Sequence, residues 1–398
     1  MFAGCGGGNA PFSPSPAGPS TALRVTTAQR AHVRSAYGVL YSFKGEPDGA
    51  LPYAGLINAN GTLYGTTAKG GAARCKCGTV FTVTPSGTET VLHSFAGGLG
   101  DGKDPWAALL NVNGTLYGTT VKGGAYKEGT VFEVTSSGTE TVLHSFGRNH
   151  QRQAGDGAFP YAGLINVKGT LYGTTWEGGA NGPGTVFTIT TSGEEKVLYS
   201  FGRGSGDSEF PQAGLINVKG TLYGTTSESD GQNESGTVFS ITPSGKETLL
   251  HTFDGSSGDG FAPNAGLINV NGTLYGTTVE GGAYCTLGCG TVFSITTSGK
   301  ETVLYSFKGG SGDGESPYGC LTNVDGTLYG TTTEGPNGGP GMVFSITTSG
   351  KETVLHAFGG NGDGEFPYAG LINVNGTLYG TTVAGGADGH GTVFSISP

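Results

Sequence analysis

Gly61-Thr62-Leu63-Tyr64-Gly65-Thr66-Thr67 is the stretch from which the rest of the chain can be read. Its core, Leu-Tyr-Gly-Thr-Thr, starts at Leu63 and returns at Leu116, Leu171, Leu222, Leu274, Leu328 and Leu378. The seven copies stand 53, 55, 51, 52, 54 and 50 residues apart. A near-constant period of this size marks a repeat architecture in which each period is one supersecondary unit. Length alone, 398 residues, would suit two or three ordinary domains, but seven coupled units make one large body.

Outward from that block, the repeat spanning Tyr161 to Phe201 resolves into four strands. Ala162-Gly163-Leu164-Ile165-Asn166-Val167 is a short apolar run, and Lys168-Gly169 is a tight turn. Thr170 to Thr175 is the second strand, a Gly-rich loop covers Gly178 to Gly184, and Thr185 to Thr190 is the third. Thr191-Ser192-Gly193 turns again into Lys196-Val197-Leu198-Tyr199-Ser200-Phe201. Short strands punctuated by Gly, Asn, Asp and Ser are the hairpin pattern. Their apolar groups fall on both faces, as in sheets packed on both sides.

Four strands in each of seven repeats predict an all-β, seven-bladed β-propeller. The ends fit a closed ring. Val39-Leu40-Tyr41-Ser42-Phe43 matches a fourth strand, while Gly391-Thr392-Val393-Phe394-Ser395-Ile396 matches a third. The N-terminal strand, about 39–43, is therefore expected to pair with the C-terminal one, about 391–397, sealing faces that an open array would expose. An open β-solenoid fits less well, because its coils are shorter.

Composition narrows the function classes. Glycine is 79 of 398 residues, against roughly 7% on average, but it has no collagen-like period and sits at fixed places in each repeat. Charged residues are only 13% and the net charge is −10. Phosphate-backbone binding depends on clustered Lys and Arg, so nucleic acid is not an expected partner. No apolar run approaches the roughly 18 residues of a membrane-spanning helix, and no stretch reads as an amphipathic helix.

Residues 1–36 lack the repeat and are rich in Gly, Pro, Ser and Ala, as a flexible tether is. The propeller is expected over 37–398. Ala3-Gly4-Cys5 resembles the end of a bacterial lipoprotein signal, which makes Cys5 a lipidation candidate, although only four residues precede it. The chain ends within the last blade, so Cys5 is the anchor candidate that this reading leaves. The alternative is an ordinary Gly-rich tail. Asn60-Gly61-Thr62, Asn113-Gly114-Thr115, Asn271-Gly272-Thr273 and Asn375-Gly376-Thr377 match glycosylation acceptors. Lys168-Gly169, Lys219-Gly220 and Asp325-Gly326 stand at the same place in other repeats. What the copies share is a two-residue turn ending in Gly, not an acceptor.

Antiparallel order puts the 1–2 and 3–4 turns on one rim, and the longer, more variable 2–3 and 4–1 loops on the other, the expected binding face. The 4–1 loops carry Asp48, Asp101, Asp156, Asp207, Asp259, Asp313 and Asp363, each followed by Gly except Asp207, which precedes Ser208. Such a ring could collect Ca²⁺ or a cationic ligand. The same pattern is that of an Asx-turn in which the carboxylate caps backbone amides, and repetition in every blade favours that reading. After a Pro come Tyr53, Trp106, Tyr161, Tyr318 and Tyr368, with Gln212 and Asn264 in the two remaining blades. Trp176 and Tyr284 lie in 2–3 loops. These aromatics either stack on sugar rings or wedge the blade tops together.

Cys75/Cys77 and Cys285/Cys289 occupy the same 2–3 loop in the first and fifth repeats, so each pair is a candidate local disulfide. Such bridges imply an oxidising compartment. The two loops fall across the disc from each other, which argues against a joint four-cysteine zinc site. Cys320 has no counterpart in the other repeats and is expected to be a buried free thiol. Gly-x-Ser-x-Gly, His-Glu-x-x-His and P-loop motifs are absent. His93, His144, His251 and His356 share one fourth-strand position with Tyr41, Tyr199 and Tyr305, an exchange that suggests packing or a surface pair rather than acid–base chemistry. No catalytic residue is singled out, though loop carboxylates are plentiful enough for glycoside chemistry.

The blocks Gly-Leu-Ile-Asn-x-x-Gly-Thr-Leu-Tyr-Gly-Thr-Thr, Gly-Gly, Gly-Thr-Val-Phe, Val-Leu-x-Ser-Phe and Asp-Gly-x-x-Pro recur together over about residues 37–398. This combination resembles the choice-of-anchor tandem repeat proteins with GloVer repeats. The sixth copy departs with Gly341-Met342-Val343-Phe344, and the fourth has Ser227-Glu228-Ser229-Asp230 in place of the Gly-Gly loop. The resemblance implies an exported, surface-associated bacterial protein and carries over no catalytic residue. Kelch propellers share the Gly-Gly after strand 2 and a period of roughly 50 residues, but their later Tyr and Trp spacing is missing. The expected function is a non-catalytic, exported scaffold, a monomer, binding a glycan or another surface protein. The alternatives are a carbohydrate-active enzyme using loop carboxylates and a purely structural surface protein.

Overall fold

The computed structural model describes residues 36–148, 155–204, 207–229, 235–255, 258–285, 288–310 and 312–398. The N-terminal tether with Cys5, and His150, lie outside the described residues. Apart from one 3₁₀ turn at Pro336–Gly338, every regular element among the described residues is a strand. Seven four-stranded antiparallel sheets form seven propeller blades. In the third blade the order is Ile165–Val167, Thr170–Thr175, Thr185–Ile189, Glu195–Ser200. Among the described residues no helix is long and apolar enough to cross a membrane.

The ring closes as the repeat pattern predicts. The last blade takes Ile372–Val374, Thr377–Thr382 and Thr392–Ile396 from the C-terminal end and Tyr37–Ser42 from the other. Tyr37 lies opposite Ile396 and Ser42 opposite Thr392, with a bulge between Val39 and Tyr41. The third and fourth strands of the third blade bulge at the equivalent place, between Val186 and Phe187.

First strands lie innermost: Ile57–Ala59 sits beside both Leu110–Val112 and Ile372–Val374. They are three residues long rather than six. The reason is visible at Ala162, whose carbonyl accepts a hydrogen bond from the Thr119 hydroxyl of the preceding blade at 2.9 Å and so leaves its own ladder. Thr174 to Ala213, Thr225 to Ala265, Thr331 to Ala369 and Thr381 to Ala54 repeat this stitch from blade to blade.

The core lies between blades. One cluster joins Val186, Tyr199 and Phe201 of the third blade to Leu215, Leu222, Phe239 and Ile241 of the fourth. At each junction a Phe closing one fourth strand meets, edge to face, the third-strand Phe of the next blade. The pairs are Phe43/Phe81, Phe95/Phe132, Phe146/Phe187, Phe201/Phe239, Phe253/Phe293, Phe307/Phe344 and Phe358/Phe394, with centroids 5.0–5.3 Å apart. This geometry is worth about 0.5–1.5 kcal/mol per pair beyond the area buried. The third-strand Phe also explains the central glycine of Leu-Tyr-Gly-Thr-Thr. Phe187 lies opposite Gly173 in the ladder, and a Cβ on Gly173 would stand 2.5 Å from its ring and 2.9 Å from Leu164 Cδ2.

Candidate functional site

The 2–3 and 4–1 loops share a rim, joined by two-residue ribbons such as Gly157–Ala158 with Glu177–Gly178. In each 4–1 loop the residue before the Pro adopts a left-handed conformation: Leu51, Asp104, Phe159, Phe210, Ala262, Ser316 and Phe366 all have φ between 55° and 58°. For residues with a Cβ this costs roughly 1–2 kcal/mol, and two backbone bonds hold it. Phe210 donates its N–H to Pro183 O of the preceding blade at 2.9 Å and accepts from Ser227 N at 3.2 Å within its own. The sharp bend that results aims the next residue but one toward the axis, where the Tyr/Trp/Gln/Asn series stands.

The aromatics of that series form a contiguous arc. Tyr318 contacts Tyr368 at 5.2 Å, Tyr368 contacts Tyr53 at 5.5 Å, and Tyr53 stacks on Trp106 at 4.8 Å. Trp106 meets Tyr161 at 5.4 Å, Tyr161 meets Trp176 at 5.8 Å, and Trp176 meets Phe210 at 5.4 Å. Tyr53 is buried, and the others in the arc are half-buried. Burial raises the phenols, with Tyr53 and Tyr318 pushed up to about 12. Gln212 and Asn264 interrupt the arc in two adjacent blades, only 3% and 6% exposed. Gln212 Nε2 donates to Ser227 Oγ at 3.0 Å, but Gln212 Oε1 and Asn264 Oδ1 are buried with no protein partner. The indole Nε1 atoms of Trp106 and Trp176 are likewise unpartnered. Tyr284, exposed, lies apart on the fifth blade with Lys308 5.6 Å over its ring.

The seven loop aspartates sit further out, at the blade junctions. Each caps the amide that follows it, as Asp156 Oδ1 accepts from Gly157 N at 2.7 Å and Asp207 Oδ1 from Ser208 N at 2.8 Å. The following residue is Gly because a Cβ there would strike the strand-2 Thr: Gly157 would stand 2.3 Å from Thr175 Oγ1. Ser208, the exception, instead hydrogen-bonds Thr237 at 2.8 Å. The second oxygen takes a further loop amide in five of the seven: Lys44 N to Asp48, Ala96 N to Asp101, Arg203 N to Asp207, Asp254 N to Asp259 and Lys308 N to Asp313. The shared His/Tyr position faces the same carboxylate. Tyr41, Tyr199 and Tyr305 donate their hydroxyls to Asp48, Asp207 and Asp313. His144 lies 2.8 Å from Asp156 and His356 3.0 Å from Asp363, whereas His93 and His251 stay 3.7 and 3.8 Å from Asp101 and Asp259.

A residue that the sequence reading did not single out completes each junction. The 3–4 turn swings against the preceding blade's outer strand, where a Cβ on Gly138 would stand 2.3 Å from Leu92 O. That brings the Glu opening each fourth strand to the neighbouring Asp. Glu89, Glu140, Glu195, Glu247, Glu301 and Glu352 are each pushed up to about 7, chiefly by burial, with a neighbouring Asp charge adding to it. At the closing junction Tyr37 takes the Glu position, stacks on His356 at 3.7 Å and donates its hydroxyl to Asp363. For Asp101, Asp259 and Asp363, burial pulls upward but the adjacent His and the loop amides outweigh it and hold the carboxyls below the usual range. The signal for the Glu was present in the repeat, but only the blade twist shows which Asp it meets.

Cys75 is bonded to Cys77 and Cys285 to Cys289, with Cα atoms 5.2 and 5.7 Å apart. Cys320 is also disulfide-bonded, which corrects the expectation of a free thiol. It stands where most blades have Gly, its carbonyl against Gly370 of the next blade, and it is half-buried rather than in the core. On the same rim, Glu315 and Glu334 form a close carboxyl pair. The hydrogen bond with Glu334, and then burial, push Glu315 up to about 7. A cleft of about 530 Å³ between the first two blades is lined by Lys103, Lys122, Lys127 and Leu99.

These features define a tandem-repeat propeller with a structured loop rim. The family model of the Gloeobacter/Verrucomicrobia repeat matches residues 20–233 and 211–398, and the chain belongs to that family. No curated protein matches it in sequence. Among solved structures it resembles an ancestral GH74 enzyme at 12% identity and a TM-score of 0.56, covering 87% of this chain and 47% of that one. It also resembles a Mycobacterium tuberculosis puromycin-hydrolyzing peptidase at 12% identity and a TM-score of 0.54, covering 89% and 53%. At these identities the likeness is one of fold.

Proposed function

We propose that the protein is a non-catalytic binding scaffold that takes a glycan at the axial mouth of its loop rim. The observation that carries this is the aromatic arc interrupted by Gln212 and Asn264, whose buried carbonyl oxygens lack a protein partner. Sugar rings present apolar faces to aromatics and hydroxyl donors to such acceptors. The lysine-lined cleft on the same rim suits an acidic sugar or another surface protein as a further contact. The disulfides favour an oxidising, extracytoplasmic location. A tether over 1–36 and a monomeric state belong to the same reading; lipidation at Cys5 does not, because Cys320 is disulfide-bonded and the other four cysteines already pair with each other. Binding on a glycan array that is lost in Trp106→Ala and Gln212→Ala, with folding intact, is the expected result. Failure of every glycan to raise the melting temperature overturns it.

A second reading, a carbohydrate-active enzyme, is favoured by the Glu315/Glu334 pair, since a carboxyl whose proton affinity is raised by a neighbouring carboxyl and by burial, as at Glu315, suits the acid of glycoside chemistry. A polysaccharide-hydrolysis screen decides it: turnover abolished by Glu315→Gln supports the enzyme, and binding without turnover supports the scaffold.

A further inference from the structure

Among the described residues three blade junctions bring a histidine and two carboxylates together, and in two of them the histidine Nε2 makes no hydrogen bond. His93, Asp101 and Glu140 meet between the first and second blades, and His251, Asp259 and Glu301 between the fourth and fifth. In each group one ligand atom per residue lies within 4.8 Å of the other two. His93 Nε2 and Glu140 Oε1 are buried without a hydrogen-bond partner, and so are His251 Nε2 and Glu301 Oε1. The His–Asp separations, 3.7 and 3.8 Å, are too long for hydrogen bonds. They are close to the roughly 3.3 Å that separates two donors of one tetrahedral zinc ion with bonds of about 2.0–2.1 Å.

We infer that these two junctions are divalent transition-metal sites, each holding Zn²⁺ through one His nitrogen and two carboxylate oxygens across the interface between blades. One nitrogen and two oxygens leave a fourth position for water, the donor set of an open zinc site. Loop amides already fix the aspartates: Ala96 N and Gly102 N on Asp101, Asp254 N and Gly260 N on Asp259. A carboxylate keeps lone pairs for a metal after accepting one bond per oxygen, and such outer contacts orient metal ligands. The ion would also neutralise two carboxylates that otherwise face each other away from water.

The other junctions are internal controls. His144 Nε2 is engaged by Asp156 at 2.8 Å, so the similar group with Glu195 must break a hydrogen bond to ligate. His356 is engaged by Asp363 and has Tyr37 in place of the Glu. At the remaining three, Tyr41, Tyr199 and Tyr305 replace the histidine. Tyrosine therefore fits this position in the fold, which makes His93→Tyr and His251→Tyr variants that should fold.

The test is calorimetric titration of the metal-free full chain with ZnCl₂, followed by melting in zinc and in EDTA. Two equivalents are expected to bind at micromolar or tighter affinity and to raise the melting temperature. H93Y and H251Y should each remove one equivalent, and the double variant both, with its EDTA melting temperature unchanged. Glu140→Gln should weaken one site at least tenfold. Lack of zinc binding by the wild type, or an undiminished stoichiometry in the double variant, overturns the inference. Loss of the tight equivalents in His144→Tyr instead would also overturn it.

Discussion

The glycine of Leu-Tyr-Gly-Thr-Thr is expected to fail on substitution for one reason, and a double-mutant cycle isolates it. In Gly173→Ala the new methyl would stand 2.5 and 2.8 Å from Phe187 ring atoms and 2.9 Å from Leu164 Cδ2. Phe187 is fully buried and wedged against Phe146 at 5.0 Å, so it cannot swing away. Overpacking a well-filled core costs typically 1–3 kcal/mol. Gly173 does not need a positive φ, so alanine regains about 0.4–1 kcal/mol by restricting the unfolded chain. The net expectation is a loss of about 1–2 kcal/mol, read from the urea midpoint at unchanged slope. In a Phe187→Leu background the overlap is gone, and the same alanine should be neutral or stabilising, a coupling of at least about 1 kcal/mol. An equal penalty for alanine in both backgrounds would refute the steric argument.

Removing residues 37–45 should strip the closing strand and Phe43 from the last junction and abolish cooperative unfolding; an unchanged melting temperature would contradict ring closure. Thr174→Val should cost about 1–3 kcal/mol, because it leaves the buried Ala213 carbonyl without its donor. Thr277→Val should be neutral or stabilising, since Thr277 Oγ1 is buried with no acceptor where Gly319 replaces the usual Ala; equal costs at both positions would sink the stitch as an energetic unit. The six junction glutamates hold protons more tightly folded than unfolded, so they stabilise most below pH about 4.5 and lose that contribution as pH rises through about 7. Metal-free protein should therefore melt at a lower temperature at pH 7.5 than at pH 5, and Glu→Gln changes at these positions should flatten the profile.

The blades, their number and the closure of the ring were legible because local chemistry recurs: Asn-Gly and Lys-Gly turns, strand-length apolar runs and unmatched strands at the two ends. The assignment of loops to one rim followed from antiparallel order. The short first strands were not legible, because the Thr119–Ala162 bond that ends the ladder early joins neighbouring repeats. The junction glutamates were missed for the same kind of reason. Glu140 meets His93 only because the blade twists through its own width, and a one-dimensional repeat carries no measure of twist. The break in the aromatic series at Gln212 and Asn264 could be read directly, but the unpartnered carbonyls there could not.

The pairing of Tyr37–Ser42 with Thr392–Ile396 sets an order of events during synthesis. Tyr37–Ser42 must wait for Thr392–Ile396, some 350 residues later. At about 5–20 residues per second this is roughly 20–70 s of ribosome time. Throughout that interval the growing arc presents a bare fourth-strand edge at one end and unfilled phenylalanine seats at the other. Such surfaces invite neighbouring nascent chains, so the clasp that locks the mature disc makes its biogenesis a race against association between chains.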